Sequence, residues 1–428
     1  MKTALNKIFS SEGLRKSITL VSTSLVATGI AAIALIIFSR LLGPEKFGEF
    51  SVGTAIIFIL LRLTDLGATQ ALLKFIPVQK SSAEKSKLFF QLSQWRLKLA
   101  GVIIPIALIM GLIALWQGYS IQPVMLVSAI LLTLVIMFYE HLYHFLSGLG
   151  LIAQVATMNG VQAITKLFLA IVFSILNLTT TLTSFLAYGL APLLGVIVGL
   201  VSLPTWSKKI QIINQPLPPQ VKNFISHAAV GVIAMGVMEN ISILQLNGIL
   251  SKFETGVFSG IFRISLFIVL GGTYLSQVLF PRVAQYIQPQ TQRQYLKKAI
   301  LFIGALGLSL LLYLPLNSLV LRLTLGTAYL VGTQSLLVLV IAAIIYTATI
   351  PLAALFYAGN KHWYFSLTGI LQILIVVIGN LIFVPKFGLL GAAGVILLAR
   401  GVVLVLTGVL AIYDVFLLSN QPRKEILK

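Results

Sequence analysis

The chain has no cysteine and very little charge. Asp, Glu, Lys and Arg make up only 9% of its 428 residues, and acids are the scarcest, 10 against 30 Lys and Arg. Without cysteine there is no disulfide, no thiolate metal site and no cysteine nucleophile, and redox chemistry says nothing of compartment. A soluble domain carries about a quarter charged residues, so this scarcity excludes a soluble enzyme, a nucleic-acid-binding domain and a disordered scaffold. What fills the chain instead is apolar. Hydrophobic residues are 58% of the total and the mean hydropathy is +1.02, values of a membrane protein. The net charge of +20 then reports topology and anionic partners rather than nucleic acid.

A helix crossing about 30 Å of hydrocarbon needs about 20 mostly apolar residues. Twelve such stretches occur, near 18–40, 49–73, 99–117, 121–147, 155–176, 182–203, 224–249, 258–281, 299–321, 333–357, 363–384 and 389–416. The longest polar connections are Pro77 to Lys98 and Pro204 to Lys222. The basic segment Met1 to Lys16 leads into an apolar stretch too long for a signal peptide and without a small-residue cleavage site, so it reads as a retained first helix. With the N-terminus inside, 21 Lys and Arg fall on the cytoplasmic side and 6 (Arg40, Lys46, Lys252, Arg263, Arg322 and Lys386) on the outer side. Positive charge is retained inside, so both termini are expected in the cytoplasm.

Gly43 to Ser51 (GPEKFGEFS) and Ser251 to Ser259 (SKFETGVFS) match at an offset of 208, pairing Gly48 with Gly256, Phe50 with Phe258 and Ser51 with Ser259. Both lie between the first and second helix of a six-helix half. An even number of spans between them gives halves of the same orientation. The expected architecture is two six-helix lobes, 1–203 and 223–428, around a central cleft. The proline-rich segment 204–222 is the cytoplasmic linker, and alternating access is the mechanism that follows.

The run Arg40-Leu41-Leu42-Gly43-Pro44-Glu45-Lys46-Phe47-Gly48-Glu49-Phe50 resembles the R-x-L-G-P-E-x-F/Y-G-x-F/Y motif of the O-antigen-type polysaccharide-export flippases. These belong to the multidrug/oligosaccharidyl-lipid/polysaccharide exporter superfamily. Asp65-Leu66-Gly67 with Ala71 and Lys74 is similar to that family's D-L-G-x-x-x-A/S segment, and Gly256-Val257-Phe258-Ser259 with Arg263 to its G-x-Y/F-S-x-x-x-R segment. Pro385-Lys386-Phe387-Gly388-Leu389-Leu390-Gly391-Ala392-Ala393 resembles its P-x-Y/F-G-x-x-G-A-A segment. The four occur in order along the chain. The resemblance implies a flippase that moves a polyprenyl-diphosphate-linked oligosaccharide to the outer leaflet of the bacterial inner membrane. Its implied partners are that anionic lipid, membrane lipids and other polysaccharide-assembly proteins, with no cofactor.

Charges inside the spans cost about 2.5–3.5 kcal/mol each on insertion scales, so each needs a reason. Arg62 and Asp65, three apart on one helix, can neutralise each other, or Arg62 can face the cleft and attract a diphosphate. Asn159, Gln162 and Lys166 form a polar stripe at helical spacing, expected to line a wet cleft. Glu239, with Ser242 one turn on, suits either a coupling ion or an ion pair. Arg263 stands in a family motif and is a candidate cleft residue, with snorkelling to the interface the plainer reading. Arg400 reads as structural. Glu140, His141 and His144 read as an interfacial polar cluster rather than a metal site, because no further ligand lies nearby. Pro105, Pro192, Pro315 and Pro351 kink their helices or serve as hinges.

Two other classes compete. A cation-coupled multidrug exporter of the same superfamily predicts an acidic cleft. A membrane polymerase or ligase of lipid-linked glycans needs a sizeable outer loop bearing acid, base or nucleophile, and the loops here are short. The chain lacks a P-loop, and Pro77-Val78-Gln79-Lys80 lacks the G-x-x-x-D-R-x-G-R-R signature of major-facilitator transporters. The expected protein is a transporter and not an enzyme.

Overall fold

A computed structural model describes residues 12–119, 121–207, 215–283, 289–358 and 362–416. Lys2, Lys7, Arg423, Lys424 and Lys428, together with Lys208, Lys209 and Lys361, lie outside these. Among the described residues every regular element is a helix. In chain order they are α1 (Glu12–Asp65), α2 (Ala68–Phe75), α3 (Ser82–Trp116), α4 (Pro123–Gly148), α5 (Ile152–Ile175) and α6 (Thr181–Ser202). There follow α7 (Pro219–Ile249), α8 (Lys252–Val283), α9 (Pro289–Tyr313), α10 (Asn317–Thr324), α11 (Thr333–Ala358) and α12 (His362–Phe416). Without side-chain partners in lipid, the backbone must satisfy its own hydrogen bonds, and helices are the way an apolar chain does so.

Nine described stretches are long and apolar enough to cross a membrane. Two of them, of 44 and 53 residues, are roughly twice the length a bilayer needs at about 1.5 Å per residue. Each is broken at one glycine: α1 at Gly43 (φ 67°, ψ 171°) and α12 at Gly388 (φ 55°, ψ −133°). Both conformations are open to glycine and closed to other residues. Counting these as pairs and adding α7, 31 residues long, gives the twelve spans expected from sequence.

Two connections differ. Residues 289–298, ahead of the span expected from 299, are already helix. The segment expected to be a polar loop through Lys98 is helix from Ser82 onward. Ser81 starts it with a capping box: its hydroxyl accepts from the Glu84 amide at 3.2 Å, while Glu84 accepts from the Ser81 amide. The physical reason is a buried stripe, Leu88, Phe89, Leu92, Arg96 and Ala100, that continues the helical face below the apolar span. Pro315 also differs, since it lies in a 3₁₀ turn, Leu314–Leu316, after the end of α9.

The chain forms two compact units, Met1–Gly248 and Ile249–Lys428. Helix α7 thus packs with the first unit. Its start joins the core of Leu72, Ile76, Leu88, Phe145 and Leu146 through Val221 and Ile225, and Ile243 packs on Val52 and Ala55. Near its C-terminal end, Tyr119 donates to the Leu244 carbonyl at 2.5 Å, and burial pushes its phenol up to about 12. In the second unit, α8 and α11 pack along each other and α11 against α12. The core there includes Val283, Leu352, Phe356, Tyr364 and Ala411. The internal repeat recurs inside each unit. Phe50 and Ser51 are fully buried in one, and Phe258 and Ser259 in the other. Each phenylalanine stacks on a ring of its own helix, Phe47 at 5.5 Å and Phe262 at 5.8 Å.

Candidate functional site

The first unit gathers four charges that the sequence scatters over three helices. Asp65 ends α1 and is fully buried. Its carboxylate accepts from the Gly67 amide at 3.2 Å and the Thr69 amide at 3.1 Å, and from the Thr69 hydroxyl at 2.9 Å. The turn it fixes is strained, with Leu66 at φ 43° and Gly67 at φ 89°. The aspartate therefore holds the start of α2 and offsets the cost of Leu66 in the left-handed region.

Arg62, one turn earlier, does not pair with Asp65 as its spacing suggests. Its Nη2 donates to Glu140 Oε1 of α4 at 2.6 Å. Arg96 of α3 takes the place beside Asp65 instead, Nε to Oδ1 at 3.5 Å, and its Nη2 lies 3.8 Å from Glu140 Oε2. The correction has a simple cause. Asp65 is turned toward the backbone of α2, so the side chain of Arg62 extends across to α4. Its stem also rests on α7: a Cβ added at Gly236 would stand 2.1 Å from Arg62 Cγ. Glu239, one turn along α7, acts on Arg62 electrostatically after Glu140 and Asp65.

Glu140, His141 and His144, read from sequence as an interfacial cluster, belong to this network. His144 Nδ1 donates to the Glu140 carbonyl at 2.7 Å, and His141 Nε2 shares a 2.7 Å hydrogen bond with Ser93 Oγ of α3. Arg96 is the member that sequence reasoning missed, because a search for spans assigns charges at their edges to loops. The stripe from Leu88 to Ala100 was the available signal.

The expected polar stripe of α5 divides into two parts. Asn159 and Gln162 close a ring with Tyr139 of α4. Gln162 Nε2 donates to the Tyr139 hydroxyl at 2.9 Å and to Asn159 Oδ1 at 3.0 Å, and the Tyr139 hydroxyl donates to Asn159 at 3.3 Å. Lys166 stands apart. It is buried, 8% exposed, with Nζ 4.1 Å from the centre of the Tyr188 ring. No described carboxylate lies within ion-pair distance of it.

In the second unit Arg263 is half-buried, about three turns into α8. Arg400 of α12 is buried, with its guanidinium 5.4 Å from the Tyr346 ring. Six of the seven candidate residues (Arg62, Asp65, Asn159, Gln162, Lys166 and Glu239) thus fall in the first unit, and Arg263 in the second. Chemically, the first unit offers a buried cation over an aromatic face, Lys166, and a network of two arginines among three carboxylates.

Likeness to known proteins bears on what this arrangement serves. No curated protein matches the chain. Among solved structures, an inward-facing multidrug resistance MATE family transporter of the MOP superfamily superposes with a TM-score of 0.72 at 14% identity, covering 93% of this chain and 98% of that one. The lipid II flippase MurJ in an inward closed conformation gives 0.70 at 12% identity, over 95% of this chain and 90% of that one. The MATE multidrug transporter DinF-BH gives 0.68 at 18%, over 95% and 97%. At such identities the likeness speaks for the fold, that of MOP-superfamily transporters in two lobes. The family model described as polysaccharide biosynthesis protein matches residues 14–287, more than half of the chain, and to that family this multi-pass membrane protein belongs.

Proposed function

We propose that this protein flips an anionic polyprenyl-diphosphate-linked oligosaccharide from the cytoplasmic to the outer leaflet of the bacterial inner membrane by alternating access. In this reading both termini are cytoplasmic, and the polysaccharide repeat unit passes between the lobes 1–203 and 223–428. The observation that carries it is Lys166. A buried ammonium facing an aromatic ring, with no described carboxylate in ion-pair distance, is a positive charge available to an anionic headgroup. Asn159 and Gln162 lie on the same helix as hydrogen-bonding groups for phosphate or sugar hydroxyls. Arg62 is a second cation for the diphosphate. Outward movement of negative charge is downhill by about 2.3 kcal/mol per charge per 100 mV of inside-negative potential.

The test is complementation. In a host deleted for the gene, Lys166→Gln is expected to insert normally, to abolish surface polymer and to let the lipid-linked precursor accumulate. Wild-type polymer from that variant overturns the assignment. A second reading, export of cationic drugs, draws on Asp65, Glu140 and Glu239. Against it, Asp65 and Glu140 already face Arg62 and Arg96. New drug sensitivity with unchanged polymer in the deletion strain favours that reading.

A further inference from the structure

Glu140 stands between two arginines and satisfies one of them. Its Oε1 accepts from Arg62 at 2.6 Å, while its Oε2 is buried with no hydrogen-bond partner. Arg96 shows the complementary shortfall. Nη1 donates to the Met137 carbonyl at 3.2 Å, but Nε and Nη2 are buried without hydrogen-bond acceptors. The unsatisfied Nη2 and Oε2 are 3.8 Å apart, just beyond hydrogen-bond reach. Asp65 neutralises Arg96 without hydrogen-bonding it: its Oδ1 lies 3.5 Å from Nε, an ion pair in which Nε still has no acceptor. Buried donors and acceptors left unmatched are costly, so a second arrangement of this pair is close at hand.

The two arginines also differ in access. The Arg62 side chain is 25% exposed and that of Arg96 only 2%, so a ligand reaches the first and not the second. We propose that Glu140 is an exchangeable counter-ion: it holds Arg62 until a phosphate-type oxyanion of the cargo takes that guanidinium, and it then moves onto Arg96. This rests on the reading that the cargo is anionic. A guanidinium suits a phosphate because its donors form a planar fork. An oxyanion arriving at Arg62 without the exchange meets Glu140, Asp65 and Glu239 together. After the exchange, the nearest carboxylate is neutralised by Arg96, whose open donors it fills. Glu140 is thus a positioning residue that makes anion binding and a rearrangement between α1, α3 and α4 one event.

The probe is inorganic pyrophosphate, titrated calorimetrically into the purified full chain in lipid nanodiscs. Removing the internal competitor with Glu140→Gln is expected to tighten pyrophosphate binding by about tenfold, the scale of a modest competing equilibrium. Arg96→Gln is expected to weaken binding several-fold when Glu140 is present and to change nothing in the Glu140→Gln background, because its role is to receive Glu140. Equal weakening by Arg96→Gln in both backgrounds, or no gain from Glu140→Gln, overturns the exchange. Should either variant fail to assemble, ¹⁵N-arginine spectra of the wild-type chain decide. With signals assigned through Arg62→Lys and Arg96→Lys, pyrophosphate shifts both guanidinium groups under the exchange, and a shift at Arg62 alone overturns it. Pyrophosphate binding to neither wild type nor Glu140→Gln, with normal export by Lys166→Gln, overturns the anionic-cargo reading itself. Loss of export in Lys166→Gln beside an unresponsive Glu140→Gln removes only the exchange.

Discussion

Arg96 is nearly sealed, 1% exposed, among Asp65, Glu140 and the Met137 carbonyl. Taking the charge away leaves two carboxylates buried with less compensation, and breaking such a pair from one side costs about 3–5 kcal/mol. Arg96→Gln is therefore expected to lower the unfolding midpoint of the detergent-solubilised protein far more than a Lys98→Gln control on the same helix. Gly236 yields a sharper prediction. A methyl there collides with the stem of Arg62, so Gly236→Ala displaces Arg62 from Glu140. In an Arg62→Ala background the same methyl has room. A double-mutant cycle on thermal unfolding is expected to show an interaction energy of about 0.5–3 kcal/mol between the two sites; additivity would mean that Arg62 does not lean on α7. At this scale the sequence was only half legible. Helical spacing finds neighbours on one helix, so it offered Asp65 as the partner of Arg62. The real partner, Glu140, is 78 positions away and no periodicity points to it. Asn159 and Gln162 were found as a pair for the converse reason, since they are three apart on α5.

Elements were easier to read, because the length of apolar runs is fixed by the bilayer rather than by detailed packing. The twelve expected spans correspond to described helices, and the disagreement is largest at Ser82–Lys98. There the helical signal is a polar, capped amphipathic face, which hydropathy cannot see. Breaks inside the long helices were marked in sequence by glycine beside proline at Gly43-Pro44 and by glycine three residues after Pro385. A Cβ at Gly43 would touch nothing, and one at Gly388 only Glu254 at 3.8 Å, so any penalty there is one of backbone conformation. Gly43→Ala and Gly388→Ala are each expected to destabilise by about 1–3 kcal/mol, read as a lower unfolding midpoint. Alanine at Gly29, a helical position with equal space, is expected to leave the midpoint unchanged or raise it slightly. Tyr119 joins the α3–α4 turn to α7 through its hydroxyl. With a phenol pushed up to about 12, it remains a donor at any physiological pH, so this contact does not respond to acidity.

For the whole molecule, composition alone excluded every soluble class, and the repeat at an offset of 208 anticipated the common pattern of buried aromatic and serine in both units. Composition could not say how the packing would divide. Helix α7 opens the second half of the repeat, yet it packs with the first unit, where Tyr119, Val52 and Phe75 meet it. The proposed orientation is directly testable in a chain that has no cysteine of its own. Single cysteines at exposed Lys80 and Asn177 are expected to separate cleanly: a membrane-impermeant maleimide added to intact cells labels Asn177→Cys and spares Lys80→Cys. The reverse pattern inverts the topology and with it the direction of transport.

The single-glycine breaks in α1 and α12 carry a consequence for how the chain is made. A turn with no slack cannot let one helix settle while its successor is still being synthesised at a distance. The two helices joined at each of these glycines are therefore expected to insert together, whereas helices joined by longer loops can be delivered one by one.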